Sequence, residues 1–88
     1  MTLFESRASA EFWRLYDRLP VRIQQAADKQ FAIFEKNPLH PSLRLKQIGE
    51  LWSVRVTDAY RALAIRDKNV FNWLWIGPHD QYERLVNN

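Results

Sequence analysis

The stretch LRLKQIGELWSVRVTDAYRALAIRDKNVFNWLWIGPH, Leu43 to His79, decides the fold. Within it, Leu51–Val56, Tyr60–Arg66 and Val70–Ile76 alternate or run apolar with β-rich composition. The breaks between them, Thr57-Asp58-Ala59 and Asp67-Lys68-Asn69, are short and polar. That combination reads as a meander of hairpins. Leu43–Ile48 offers one more strand before a turn at Gly49-Glu50.

Two registers of the first hairpin satisfy the pattern. A three-residue loop, Thr57-Asp58-Ala59, sets Val56 opposite Tyr60 and Arg55 opposite Arg61. Both guanidiniums then share one surface, because side chains alternate faces along a strand. Like charges directly opposite each other are destabilising, so such a pair calls for an anion between the two or a carboxylate partner. A two-residue Asp58-Ala59 turn instead puts the arginines on opposite faces. It gathers Trp52, Val54, Val56, Leu63 and Ile65 into one apolar face. Periodicity alone leaves both open.

Working outward, Thr2–Glu5 is short and apolar enough for a first strand. From Ser9 a helix follows, with Phe12, Leu15, Tyr16 and Leu19 at helical spacing and Ser6 or Ser9 as its cap. Pro20 ends it and suits the start of a second helix. There Ile23, Ala26, Ala27, Phe31 and Phe34 face inward, while Arg22, Gln25, Asp28, Lys29 and Glu35 face out. Asn37-Pro38 stops that helix, since the residue before a proline avoids helical geometry. Beyond His79 the tail DQYERLVNN is too short for an independent helix, although Tyr82, Leu85 and Val86 can dock a single turn. On the last strand, Phe71, Trp73 and Trp75 fall on one face. The other face, Val70, Leu74 and Ile76, is apolar too, as in a strand covered on both sides. The expected fold class is therefore α+β. It is a two-layer sandwich in which an N-terminal strand and a helical hairpin pack on an antiparallel β-meander, with the other face of the sheet open.

The chain has 88 residues, 47% of them hydrophobic, which makes a single domain over 1–88 able to bury a core. It has no cysteine and two distant histidines, so neither a disulfide scaffold nor a zinc site is expected, and no metal or other cofactor is called for. No apolar run approaches the ~18 residues of a membrane span and no signal pattern opens the chain, which points to a cytoplasmic protein. A net charge of +3 and a pI of about 9.6 are compatible with a polyanionic partner. Four tryptophans imply a dense core or a surface that a partner covers.

Three blocks carry a resemblance. They are Leu45-Lys46-x-Ile48-x-x-Leu51-Trp52-Ser53-Val54-Arg55-Val56, then Tyr60-Arg61-Ala62-Leu63, then Trp75-Ile76-Gly77-x-His79. Behind a helical hairpin with a Leu19-Pro20 junction, the chain resembles the RelE/ParE superfamily of toxins from bacterial type II toxin–antitoxin modules. The resemblance covers essentially the whole chain. It implies a cognate antitoxin as partner, held in a hetero-oligomeric complex. For the RelE-like branch it implies an endoribonuclease acting on mRNA at the ribosome. Position by position, Arg61 matches the arginine on the scissile phosphate and Arg55 a basic residue of the same site. His79 matches the arginine or histidine that follows the last strand. These matches favour the three-residue loop. Ser53 stands where RNA-cleaving relatives carry a second basic residue, and the tail lacks the basic character of the gyrase-directed ParE branch.

The implied chemistry is metal-independent. The ribose 2′-OH attacks the adjacent phosphate in line, leaving a 2′,3′-cyclic phosphate and a free 5′-OH. It needs a base, cations on the phosphorane oxygens and an acid for the leaving oxygen. Arg55 and Arg61 suit the cationic role, because a guanidinium keeps its proton and forks onto phosphate oxygens. His79 suits acid or base work near neutral pH. For the remaining role the nearby choices are Lys46, Glu50 and His40, with Lys46 first and mainly as a phosphate contact. Tyr82 is expected to stack on a base or to pin the C-terminal turn. Two other readings stay open: a ParE-like gyrase poison without nuclease chemistry, and a degenerate toxin that only binds its antitoxin.

Overall fold

Helix α1, Ala10–Asp17, begins where Ser9 Oγ accepts a hydrogen bond from the Phe12 amide at 3.1 Å. The computed structural model describes residues 4–87 of the chain. Helix α2, Val21–Lys36, starts directly after Pro20 and ends at Asn37, whose backbone is extended (φ −154°) as a residue before proline requires. Leu19-Pro20 thus turns the chain between two helices, as the sequence predicts. Pro41–Leu43 forms a short 3-10 turn, capped by His40 and followed by the strands β2 (Lys46–Ile48), β3 (Leu51–Thr57), β4 (Tyr60–Asp67) and β5 (Val70–Pro78).

Strand β1 runs over Glu5–Ala8. The expected strand at Thr2–Glu5 therefore sits later in the chain, and Thr2 and Leu3 lie outside the described residues. Two contacts fix β1 there: Trp73 Nε1 donates to Ser6 Oγ at 2.7 Å, and the Ser9 amide donates to the Trp73 carbonyl at 3.0 Å. The sheet order is β1-β5-β4-β3-β2. β2 to β5 form the expected antiparallel meander, but β1 pairs with β5 in parallel, which makes the sheet mixed. Interior placement explains why β5 is apolar on both faces.

The helical hairpin covers one sheet face. Phe12, Phe31, Phe34, Phe71 and Trp73 meet there edge to face, with ring centroids 5.0–5.5 Å apart. Such pairs add to the burial of their area. One inward position escaped the pattern. Gln30 is only 8% exposed, and its amide donates to the carbonyls of Ser42 at 3.1 Å and Arg55 at 2.9 Å. This tethers α2 to β3 from behind. Gln30→Leu leaves both acceptors without their donor and is expected to cost about 1–3 kcal/mol in denaturant unfolding.

Across the hairpin, Tyr16 donates to Asp28 Oδ1 at 2.7 Å. That bond, followed by burial and the Asp28 charge, pushes the phenol up to about 12 from 10.0. A folded-state value above the unfolded one gives stability that is complete below pH 10 and lost as the pH climbs through 12. The stability gap between the wild type and Tyr16→Phe should therefore close over that interval in pH-stepped melts.

The second sheet face departs from expectation in two ways. First, the tail is a two-turn helix, α3, His79–Val86, and not a single turn. It folds back on the sheet, where Tyr82 is only 4% exposed with its hydroxyl 3.4 Å from Ser53 Oγ. An eight-residue helix is not stable alone, but this one has an apolar surface to dock on, so the face is partly covered and not open. Second, the pairing of β4 with β5 shifts by one between Leu63↔Trp75 and Ala64↔Trp73. Leu74 is the extra residue of a bulge, and Trp75 turns to the opposite face from Trp73. A Cβ on Gly77 would lie 2.6 Å from Trp75 Cζ2, so the indole lies against the Gly77 backbone in space that only glycine leaves. The tryptophans accordingly divide. Trp73 is core, Trp52 and Trp75 are half-buried, and Trp13 is 50% exposed.

Candidate active site

The hairpin between β3 and β4 reconciles the two registers that the sequence left open. Its turn is the two-residue Asp58-Ala59, flanked by Thr57↔Tyr60, yet Arg55 pairs with Arg61. Val56 is the extra residue of a bulge, buried with Val54 on the helix side. A bulge inserts one residue into one strand only, so here it supplies the short turn and the shared arginine face together. Both guanidiniums therefore belong to the face that α3 partly covers.

The turn holds three site residues at once. Arg61 Nη1 donates to the carbonyls of Thr57, Asp58 and Tyr60, which folds its guanidinium back over the turn. Arg55 Nη2 sits 2.6 Å from Asp58 Oδ1. The His79 amide donates to the Ala59 carbonyl at 2.8 Å, which brings the start of α3 against the same turn. The carboxylate partner that the arginine pair requires is thus Asp58, and it serves Arg55. Arg61 is held by neutral acceptors that leave its charge unneutralised. Burial lowers the Arg61 pKa, and the charges of Arg55 and Arg44 act the same way against Tyr82 and Asp58. A guanidinium nonetheless stays protonated across the physiological range.

A cleft of about 260 Å³ opens beside this turn, lined by Lys46, Arg61, His79, Tyr82 and Glu83, with Ile48 and Val86 among its apolar walls. His79 Nε2 lies 3.3 Å from Glu83 Oε1 one turn along α3. Lys46 reaches the cleft from β2. Tyr82 lines it as a ring only 4% exposed, with its hydroxyl 3.4 Å from Ser53 Oγ. Glu50 and His40 are not brought in. Glu50 lies at the Gly49-Glu50 turn, at the other end of β3 from Arg55, and lines a different hollow with Trp52 and Arg66. His40 Nδ1 accepts from the Ser42 amide at 3.2 Å and is used in capping the 3-10 turn.

Two residues passed over in the sequence belong to this region. Glu83 is one, and its spacing of four from His79 on a helix is the signal that would have found it. Arg44 is the other. Its charge is among those that lower the Arg61 pKa, which puts it near the arginine pair. Its left-handed backbone (φ 47°, ψ 44°) carries the chain from the 3-10 turn into β2. A second hollow of about 320 Å³, lined by Phe12, Trp13, Phe31 and Trp73 with Asp28 and Glu35, has no basic side chain. Among the described residues no three His, Asp or Glu side chains converge to hold a metal ion, and no helix is long and apolar enough to cross a membrane.

Solved structures share this arrangement of strands and helices. The toxin–antitoxin complex RelBE2 from Mycobacterium tuberculosis matches with a TM-score of 0.66 at 23% identity, over 89% of this chain and 93% of that one. The RelB–RelE antitoxin–toxin complex from Methanococcus jannaschii gives 0.73 at 11% identity, over 90% and 96%. The chain has the RelE fold. A mutant of the E. coli toxin RelE in the free state agrees, at 0.67 and 14% identity over 94% and 90%. No family model and no curated protein matches the sequence, so the RelE likeness is one of fold. Within it the expected α+β sandwich stands, amended by the parallel β1 and by α3.

Proposed function

We propose that this protein is the toxin of a type II toxin–antitoxin module and a metal-independent endoribonuclease that cuts mRNA at the ribosome. The RelE fold supports the toxin reading, and two of the structural relatives are toxin–antitoxin complexes, which supports an antitoxin as partner. The observation that carries the nuclease reading is the β3–β4 turn, which sets Arg55 opposite Arg61 and bonds the start of α3, so that Arg61, His79 and Lys46 line one cleft. Arg61 and Arg55 stabilise the charge that develops on the phosphorane oxygens. The 2′-oxygen bonds to phosphorus as its proton passes to water on the far side, and His79 protonates the departing 5′-oxygen as the bond from phosphorus to that oxygen breaks. In-line displacement puts base and acid on opposite sides of phosphorus. Glu83, 3.3 Å from His79 Nε2 on the same helix, therefore orients the imidazole and does not take the far side. Lys46 holds a phosphate along the bound strand.

The test is induction of the gene without its antitoxin, followed by primer extension on cellular mRNA, with Arg61→Ala and His79→Ala as controls. Cuts that both substitutions remove support the reading. Intact mRNA with trapped gyrase–DNA breaks overturns it. The neighbouring reading frame should encode a small antitoxin.

A further inference from the structure

Arg55 and Arg61 differ in what holds them, and the difference has a functional meaning that rests on the nuclease reading above. Arg61 bonds only carbonyl oxygens of its own turn, so its charge remains available to an anion. Arg55 is occupied. Its Nε is buried without a hydrogen-bond partner, and its Nη2 is taken by Asp58 Oδ1 at 2.6 Å. The Arg55 side chain is 27% exposed, whereas that of Asp58, at the tip of the hairpin, is 90% exposed.

We propose that the Asp58 carboxylate holds the place of a phosphate oxygen on Arg55, so that an RNA phosphodiester engages Arg55 only by displacing it. Each part of the arrangement suits that role. Two guanidiniums on facing strands repel each other and need a negative charge nearby when no substrate is bound. A carboxylate, like a phosphodiester, presents two oxygens that a guanidinium can fork onto. An ion pair with one partner so exposed is weak, so it yields to a stronger anion. Departure of Asp58 leaves the turn intact, because the Ala59 amide is bonded to Thr57 Oγ1 and Arg61 is bonded to main-chain carbonyls. Asp58 is thus a residue that sets how tightly RNA is held, and it opposes binding.

The experiment measures binding without cleavage, using a short single-stranded RNA with 2′-O-methyl riboses and fluorescence anisotropy across a salt series. Asp58→Asn preserves the turn, since asparagine suits the same backbone. It is expected to tighten binding about two- to fivefold, the scale of an exposed ion pair. The slope of log affinity against log salt should steepen by about 0.7, one added phosphate contact on a single strand. Asp58→Ala should do the same. Unchanged or weaker binding by Asp58→Asn overturns the inference, since the carboxylate would then be positioning Arg55 for the RNA. Arg61→Ala separates the two levels. If it weakens binding while Asp58→Asn changes nothing, only the role of Asp58 falls. If it binds as the wild type does, the nuclease reading falls as well.

Discussion

Arg61→Ala should lower the single-turnover rate of RNA cleavage by about 10²–10³-fold, the loss measured when one preorganised donor to a developing oxyanion is removed. The guanidinium is part of the turn and the cleft at once, with one nitrogen on three carbonyls of the turn. Some stability will be lost with those carbonyl bonds, so the rate is to be read beside a denaturant melt of the same variant. Arg61→Lys sharpens the test. A lysine keeps the charge but cannot hold the turn and fork onto a phosphate together, so it should restore only a small part of the rate. A folded Arg61→Ala protein that cleaves within about threefold of wild type would be incompatible with electrostatic stabilisation by this residue.

Trp73→Ala should destabilise the domain by about 3–5 kcal/mol, the usual range for deleting a large buried aromatic. Trp73 is 1% exposed, meets Phe31 and Phe34 at 5.2 and 5.3 Å between centroids, and stacks on Phe71. Its indole nitrogen also anchors β1 through Ser6. Against a total of about 5–15 kcal/mol for a small domain, the loss falls on a large fraction of the fold. Trp73→Phe keeps the ring packing and gives up the Ser6 bond, so it should cost markedly less. Equal effects of the two variants in urea unfolding would mean that the indole nitrogen, and not the ring, carries the contribution.

The helices and the meander were legible because their apolar periods are clean and because Pro20 and Pro38 punctuate them. What periodicity could not deliver lies where the period is broken. Bulges at Val56 and Leu74 add one residue to one strand, and nothing in the alternation of side chains announces them. The first made two registers seem exclusive when the hairpin satisfies parts of both. The second placed Trp75 on the wrong face. Length limits the tail to a single docked turn of Tyr82, Leu85 and Val86, and the surface that lets it extend to two, the patch around Leu63 and Ser53, is visible only once the sheet is built. The resemblance points to Arg55, Arg61 and His79, while Lys46 enters only as the first choice for a role that no motif fills. Glu83 and Asp58 matter through what they touch in space. Asp58 stands three residues from Arg55, close enough to be suspected, but only the turn brings them together.

The bulge at Val56 also makes the two arms of this hairpin unequal in the insertions and deletions they can absorb. Loss of Val56 would cost a buried methyl pair, yet the ladder would then run unbroken from Thr57↔Tyr60 to Arg55↔Arg61, and every later side chain would keep its side. Loss of one residue from β4 between Arg61 and Ala64 has no such slack to draw on. It would turn a guanidinium toward the aromatic layer. Among descendants of this chain, length variation in the hairpin should therefore collect on the β3 arm.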